Sequence, residues 1–209
     1  MKKAIISGAT GAIGTALIRL LISEGVQVMV LCRQDSRRIS NIPADPAVEI
    51  RYCGLDQLCE LKNETGETYD AFFHLAWEGT SGAGREDMYL QNDNIKHTLD
   101  AVYAAHRFHC KIFVGAGSQA EYGRTSVRLN ASTPAFPESG YGMAKLCAGQ
   151  MSRSLACQLG LKHIWMRVLS VYGPNDGGQS LVMSVIHALQ NGETPRCTKG
   201  EQQWDYLYS

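Results

Sequence analysis

With 209 residues the chain has enough length for a sizeable core in one domain, or one domain and part of a second. Its 20 Lys and Arg balance its 20 Asp and Glu, so no net field draws it to nucleic acid or to an anionic membrane surface. No run is long and apolar enough to span a bilayer, and the 7 cysteines form no CxxC pair of metal or redox spacing, so a soluble cytoplasmic protein with reduced thiols is expected.

The first element is an apolar strand at residues 4–7. A glycine cluster follows, and then Ile13, Leu17, Leu20 and Leu21 recur at helical spacing. The pattern is strand, turn, helix. Gly25 suits a helix end, and residues 26–31 form a second buried strand. Further strands are expected at residues 48–52, 71–75, 112–115 and 163–168, with helical patterns at 94–106 and 142–159. Alternation of this kind implies an α/β fold with a doubly wound parallel sheet. Uninterrupted apolar runs such as AFFHL (residues 71–75) suit strands covered on both faces. The Gly- and Pro-rich stretches at 79–84 and 133–140 read as loops above the sheet.

The turn after the first strand is GATGAIG, in which Gly8, Thr10, Gly11, Ala12, Ile13 and Gly14 are candidates for holding a pyrophosphate. One glycine permits the tight turn, another lets backbone amides reach the anion, and the last allows close helix packing, with the helix N-terminus facing the phosphates. About 20 residues later stands the position that reads the adenosine ribose in dinucleotide folds. Arg33 occupies it, with Arg37 and Arg38 nearby, and a cation there pairs with a 2′-phosphate, which favours NADP; Asp35 keeps NAD open. The plain alternative is a solvated arginine loop.

Tyr141 and Lys145 stand four residues apart on one helical face. Free tyrosine titrates near pH 10, so a neighbouring ammonium that stabilises the phenolate would let Tyr141 exchange a proton with a carbonyl or alcohol while hydride moves to or from a nicotinamide. Ser118 follows the strand at 112–115 and would share the same substrate oxygen. The 6 histidines show no ligand pattern beside acids, so no metal site is expected.

In chain order, GATGAIG, His74-Leu75-Ala76, Asn94 with Thr98, GSQAEYG, YGMAK and RVLSVYGP resemble the extended short-chain dehydrogenases/reductases, in the NAD(P)-dependent epimerase/dehydratase family. The resemblance runs from Met1 to the end of the chain. It implies a Rossmann-type fold, with a dinucleotide domain at residues 1–168 and the start of a substrate region at 169–209. It implies that Ser118, Tyr141 and Lys145 are catalytic, that Asp56 approaches the adenine, that Leu75 and Ala76 line the nicotinamide side, that Lys145 also holds the nicotinamide ribose, and that Asn94 supports the site. The implied substrate is a nucleotide sugar, the implied reaction epimerisation or ketoreduction, and helices 94–106 and 142–159 would pair two chains. A regulator that binds NAD(P) without turnover is the alternative function.

Two departures limit the reading. Family dehydratases carry an Asp-Glu pair after the serine or threonine, whereas this chain has Gln119-Ala120, which disfavours sugar dehydration; Glu121 is the acid that remains to compensate. Ser170 stands where the family usually has Asn. QQWDYLYS at residues 202–209 resembles a family segment that normally continues, so a truncated substrate region is expected.

Overall fold

The structure is a computed structural model that describes residues 1–130, 132–177 and 180–209. Six parallel strands make one sheet in the order β3-β2-β1-β4-β5-β6, namely β1 (Lys3–Ser7), β2 (Gln27–Cys32), β3 (Val48–Tyr52), β4 (Ala71–His74), β5 (Ile112–Ser118) and β6 (Lys162–Val168). The order reverses between β1 and β4, the crevice where sheets of this topology bind ligands. Helices α1 (Ala12–Ser23), α2 (Met88–Arg107) and α3 (Gly140–Gln158) supply the covering layers.

Period-two alternation in β1 and β2 assigns their side chains to two cores. Ala4, Ile6, Val28 and Val30 pack with Ile18 and Leu21 of α1 on one face. Ile5, Met29 and Leu31 pack with Phe72, Phe113, Val102 and Ala105 on the other, where α2 and α3 lie. Both faces of the central strands are dry, as their continuous apolar sequences require.

Each helix begins where the local chemistry permits. Asp87 caps α2 by accepting from the amides of Tyr89 and Leu90, and Ser139 caps α3 by accepting from Gly142. α1 differs, because its N-cap is Gly11 and no side chain satisfies its first amides. Gly25, just past the C-cap of α1, has φ +72°, the left-handed turn that favours glycine.

Several elements extend beyond the expected bounds: α2 starts six residues before residue 94, and β5 runs on to Ser118. After β6 come β7 (Ser170–Tyr172), α4 (Leu181–Gln190) and β8 (Tyr206–Tyr208), with β7 and β8 paired in a separate parallel ribbon. No described residue of α4 is buried. Gly178 and Gln179, which fall in the expected substrate region, lie outside the described residues. Among the described residues no helix is long and apolar enough to cross a membrane.

Candidate active site

The carboxyl ends of β1, β2 and β4 open onto a cleft of about 430 Å³. Its floor is the glycine turn, with Gly8, Thr10, Gly11, Ala12 and Ile13 among the lining residues. A Cβ on Gly8 would stand 2.5 Å from the amide nitrogen of Ala76, and φ there is +76°, so only glycine lets the turn approach β4 this closely. Gly14 is closed against the backbone of Gly8 and Ala9 in the same way, which seats α1 on the turn. Asn41 holds the turn from above, donating to the Thr10 carbonyl at 3.1 Å. Uncapped amides at the head of α1, presented into a preformed cleft, are donors in need of an anion. The turn therefore fits a pyrophosphate.

Leu75 and Ala76 line the cleft on the β4 side. Arg33 and Arg38 line it together with Ser36, and Arg37 lies outside the lining. Arg33 is two-thirds exposed and loosely shared between two acids, 3.8 Å from Asp35 and 3.6 Å from Glu78. Asp56 is exposed and outside the lining, which at that point consists of Cys53, Gly54, Leu55 and Leu58. Its side chain lies close over Gly54 instead.

Ser118, Tyr141 and Lys145 come together where β5 ends against the first turns of α3. Burial raises the pKa of the Tyr141 phenol, outweighing the neighbouring Ser118 hydroxyl and the charge of Arg85, which favour ionisation. Lys145 is buried, and its ammonium donates to the Ala116 carbonyl at 2.6 Å. Burial pushes the Lys145 pKa down to about 7, with the Glu121 carboxylate opposing.

Two cations stand near the Tyr141 ring, Lys145 on the same helix and Arg85 from the loop before α2. The Lys145 ammonium lies 5.8 Å from the Tyr141 ring centroid and only 3.7 Å from that of Trp77, whereas the Arg85 guanidinium stands 4.2 Å from the Tyr141 centroid. The reason is geometric: four residues along α3 carry the lysine back to the β5 carbonyl, and a separate turn at Gly82–Arg85 brings Arg85 over the ring. Arg85 gives no sequence signal, because nothing in a Gly-rich loop shows which ring it will cover.

That loop is held from α2. Gln91, fully buried, donates to the carbonyls of Gly79 at 3.0 Å and Gly84 at 2.7 Å, and accepts from the Trp77 indole at 2.8 Å. Asn94 accepts from the Glu78 amide at 2.9 Å and donates to the Glu78 carbonyl at 3.0 Å. The Asn94 amide is thus satisfied by backbone groups of the segment that follows β4. His74 is fixed by Ser7 at 2.9 Å and Thr98 at 3.4 Å; burial and the Lys145 charge push its pKa down to about 3, so the ring stays neutral.

Glu121 is the acid that follows Gln119-Ala120. It is fully buried; one oxygen accepts from the Ser118 amide at 2.8 Å and the Trp165 indole at 3.0 Å, and the other from Arg167 at 2.7 Å. Such a carboxylate, buried and hydrogen-bonded at both oxygens, positions the Ser118 turn. The glycines of this turn have a packing cause as well, since Trp165 lies against Gly115, Gly117 and Gly149. Ser170 faces Gln119 and accepts from the Trp204 indole.

A doubly wound sheet with a glycine turn at its switch point and a Tyr-Lys helix beside it defines a Rossmann-type α/β protein. The chain belongs to the NAD dependent epimerase/dehydratase family, whose model matches residues 4–209. It is 25% identical to the CDP-abequose synthase of Salmonella typhimurium over 98% of its own length, and spans 65% of that relative. Among solved structures it resembles the UDP-N-acetylglucosamine 4-epimerase of Methanobrevibacter ruminantium M1, in complex with UDP-N-acetylmuramic acid, at 26% identity and TM-score 0.85, covering 99% of this chain and 69% of that one. The UDP-glucuronic acid 4-epimerase of Bacillus cereus, in complex with NAD, shares the fold at 19% identity and TM-score 0.84, covering 99% and 68%.

Proposed function

We propose that the chain carries the cofactor and acid/base machinery of a nicotinamide-dependent epimerase or ketoreductase acting on a nucleotide sugar. The observation that carries this reading is the convergence of Ser118, Tyr141 and Lys145 beside a cleft whose glycine turn offers uncapped helix amides. Gly8, Thr10, Gly11, Ala12, Ile13 and Gly14 would hold the pyrophosphate, Leu75 and Ala76 the nicotinamide side, and Lys145 its ribose. When bound, the nicotinamide supplies or accepts the hydride. Tyr141 transfers the proton at the substrate oxygen, and Ser118 orients that oxygen and shares its developing charge. Arg85 and the head of α3 favour the phenolate electrostatically. Dehydration is not part of the proposal, because Gln119-Ala120 supplies no acid and base and both oxygens of the buried Glu121 are already hydrogen-bonded. Pairing of two chains through α2 and α3, which expose Tyr103, Met143 and Met151, remains part of the same reading.

For the cofactor we propose NADP over NAD, on Arg33 and Arg38 in the lining of the cleft. Fluorescence titration with NADPH and NADH tests this and the cleft together. NADPH is expected to bind more tightly, and Arg33→Ala to weaken it about 10-fold, the worth of one charge-assisted hydrogen bond, while NADH affinity hardly changes. Equal losses for both, or tighter NADH binding by the unsubstituted protein, would refute the preference; no binding of either would refute the cofactor reading.

A further inference from the structure

Trp77 belongs to both halves of the site. It lines the cleft beside Ala76, its indole NH is fixed by Gln91 at 2.8 Å, its edge meets the Tyr141 ring at 6.1 Å between centroids, and its face carries the Lys145 ammonium at 3.7 Å. For that buried ammonium the one protein hydrogen bond found among the described residues is to Ala116. A cation with so few donors satisfied needs another source of negative potential, and an indole face is the strongest that an aromatic side chain offers.

We propose that Trp77 is the positioning residue for Lys145: its indole face holds the ammonium, charged and in place, beside Tyr141 at the nicotinamide end of the cleft. Gln91 fixes the plane of the ring, so the placement comes from α2 and is built before any ligand arrives. The groups facing the ammonium are the Glu121 carboxylate from the turn after β5, neutral His74 from β4 and Tyr141 on its own helix, with Arg85 beyond the phenol ring. Of these Glu121 holds the charge on, and burial opposes it. Loss of the indole face therefore moves the titration of Lys145 to lower pH.

The inference rests on the proposed cofactor reading only for its second measurement. The first is made on the unliganded protein. Proton NMR of the Lys145 ε-methylene group, assigned by its loss in Lys145→Met, is expected to show an upfield ring-current shift and a midpoint near neutrality. In Trp77→Leu the ring-current shift should vanish and the midpoint fall by roughly one pH unit, the size of a single cation–π contact. Trp77→Phe keeps a π face without the Gln91 bond and should retain most of both signals, so it reports on the contact even where the leucine variant folds poorly. An unchanged Lys145 shift and midpoint in folded Trp77→Leu, or random-coil shifts in the unsubstituted protein, would overturn the assignment. The second measurement uses Trp165→Phe/Trp204→Phe, which leaves Trp77 as the one emitter. NADPH should quench its emission by energy transfer, and the NADPH affinity, read from the dinucleotide's own emission so that it can also be followed in Trp77→Leu, should fall with rising pH at the Lys145 midpoint, at lower pH in that variant. An affinity loss that is the same at every pH would make Trp77 merely structural and overturn the proposal. Absence of quenching beside the expected NMR result would instead count against the cofactor reading and leave the Trp77–Lys145 contact standing.

Discussion

Tyr141→Phe is expected to lower turnover by about 10²–10⁴-fold, the range of positioned acid/base catalysis, with cofactor affinity almost unchanged. The ring itself is structural: it is buried, stacks edge-on with Trp77 and lies under Arg85, and phenylalanine preserves all three contacts. Only the hydroxyl is lost, and with it the Ser118 interaction. Turnover measured with UDP-N-acetylglucosamine as the probe sugar, set beside NADPH titration of the same preparations, separates the two quantities. A parallel fall in both would show that the phenol holds the site together and that its proton does no chemistry.

Breaking the Glu121 cluster should have the largest effect on stability. Glu121→Ala leaves Arg167 without its partner in a half-buried setting and strips acceptors from the Ser118 amide and the Trp165 indole. Removal of one member of a buried ion pair costs about 3–5 kcal/mol, and with ~2–4 °C lost per kcal/mol for a chain of this size the melting temperature should drop on the order of 10 °C. Replacing both Glu121 and Arg167 with Leu removes the uncompensated charge and should recover part of that loss, although the Ser118 turn stays unpinned. Calorimetry on the single and double variants checks this. A single variant that melts with the unsubstituted protein would mean that the pair is solvated and does not fix the turn.

Lys145 gives the same site a different energetic signature. A buried ammonium whose pKa is pushed down to about 7 binds fewer protons than its unfolded counterpart between that pH and its ordinary range. Its burial therefore destabilises the fold below that range, and stability from this group rises with pH through the window. A fold tolerates such a group at a functional site more readily than in a structural core.

Much of this was legible in the sequence, because the signals were local. The strands of the central sheet read as apolar runs, the turn read as glycines at fixed spacing, and Tyr141 with Lys145 read as one helical face. What escaped depends on contacts between distant segments. Nothing near residue 121 announces that its carboxylate meets Arg167 and Trp165 from β6, and nothing in the Gly-rich loop announces that Gln91 pins it or that Arg85 covers Tyr141. The contacts of Lys145 were illegible for the same reason: helical spacing fixes which residues are neighbours, while the Ala116 carbonyl and the Trp77 face decide where a long side chain ends. Past β6 the patterns weaken, since α4 buries none of its described residues and β7 and β8 are three residues each.

The most direct test of the account is a crystal structure of the protein with NADPH. The account requires the pyrophosphate over the amides of Gly8 to Ile13, the 2′-phosphate against Arg33, and the nicotinamide between Leu75-Ala76 and the Ser118, Tyr141 and Lys145 side chains. A dinucleotide bound in the cleft with its nicotinamide turned away from Tyr141, or bound outside the glycine turn altogether, would contradict it.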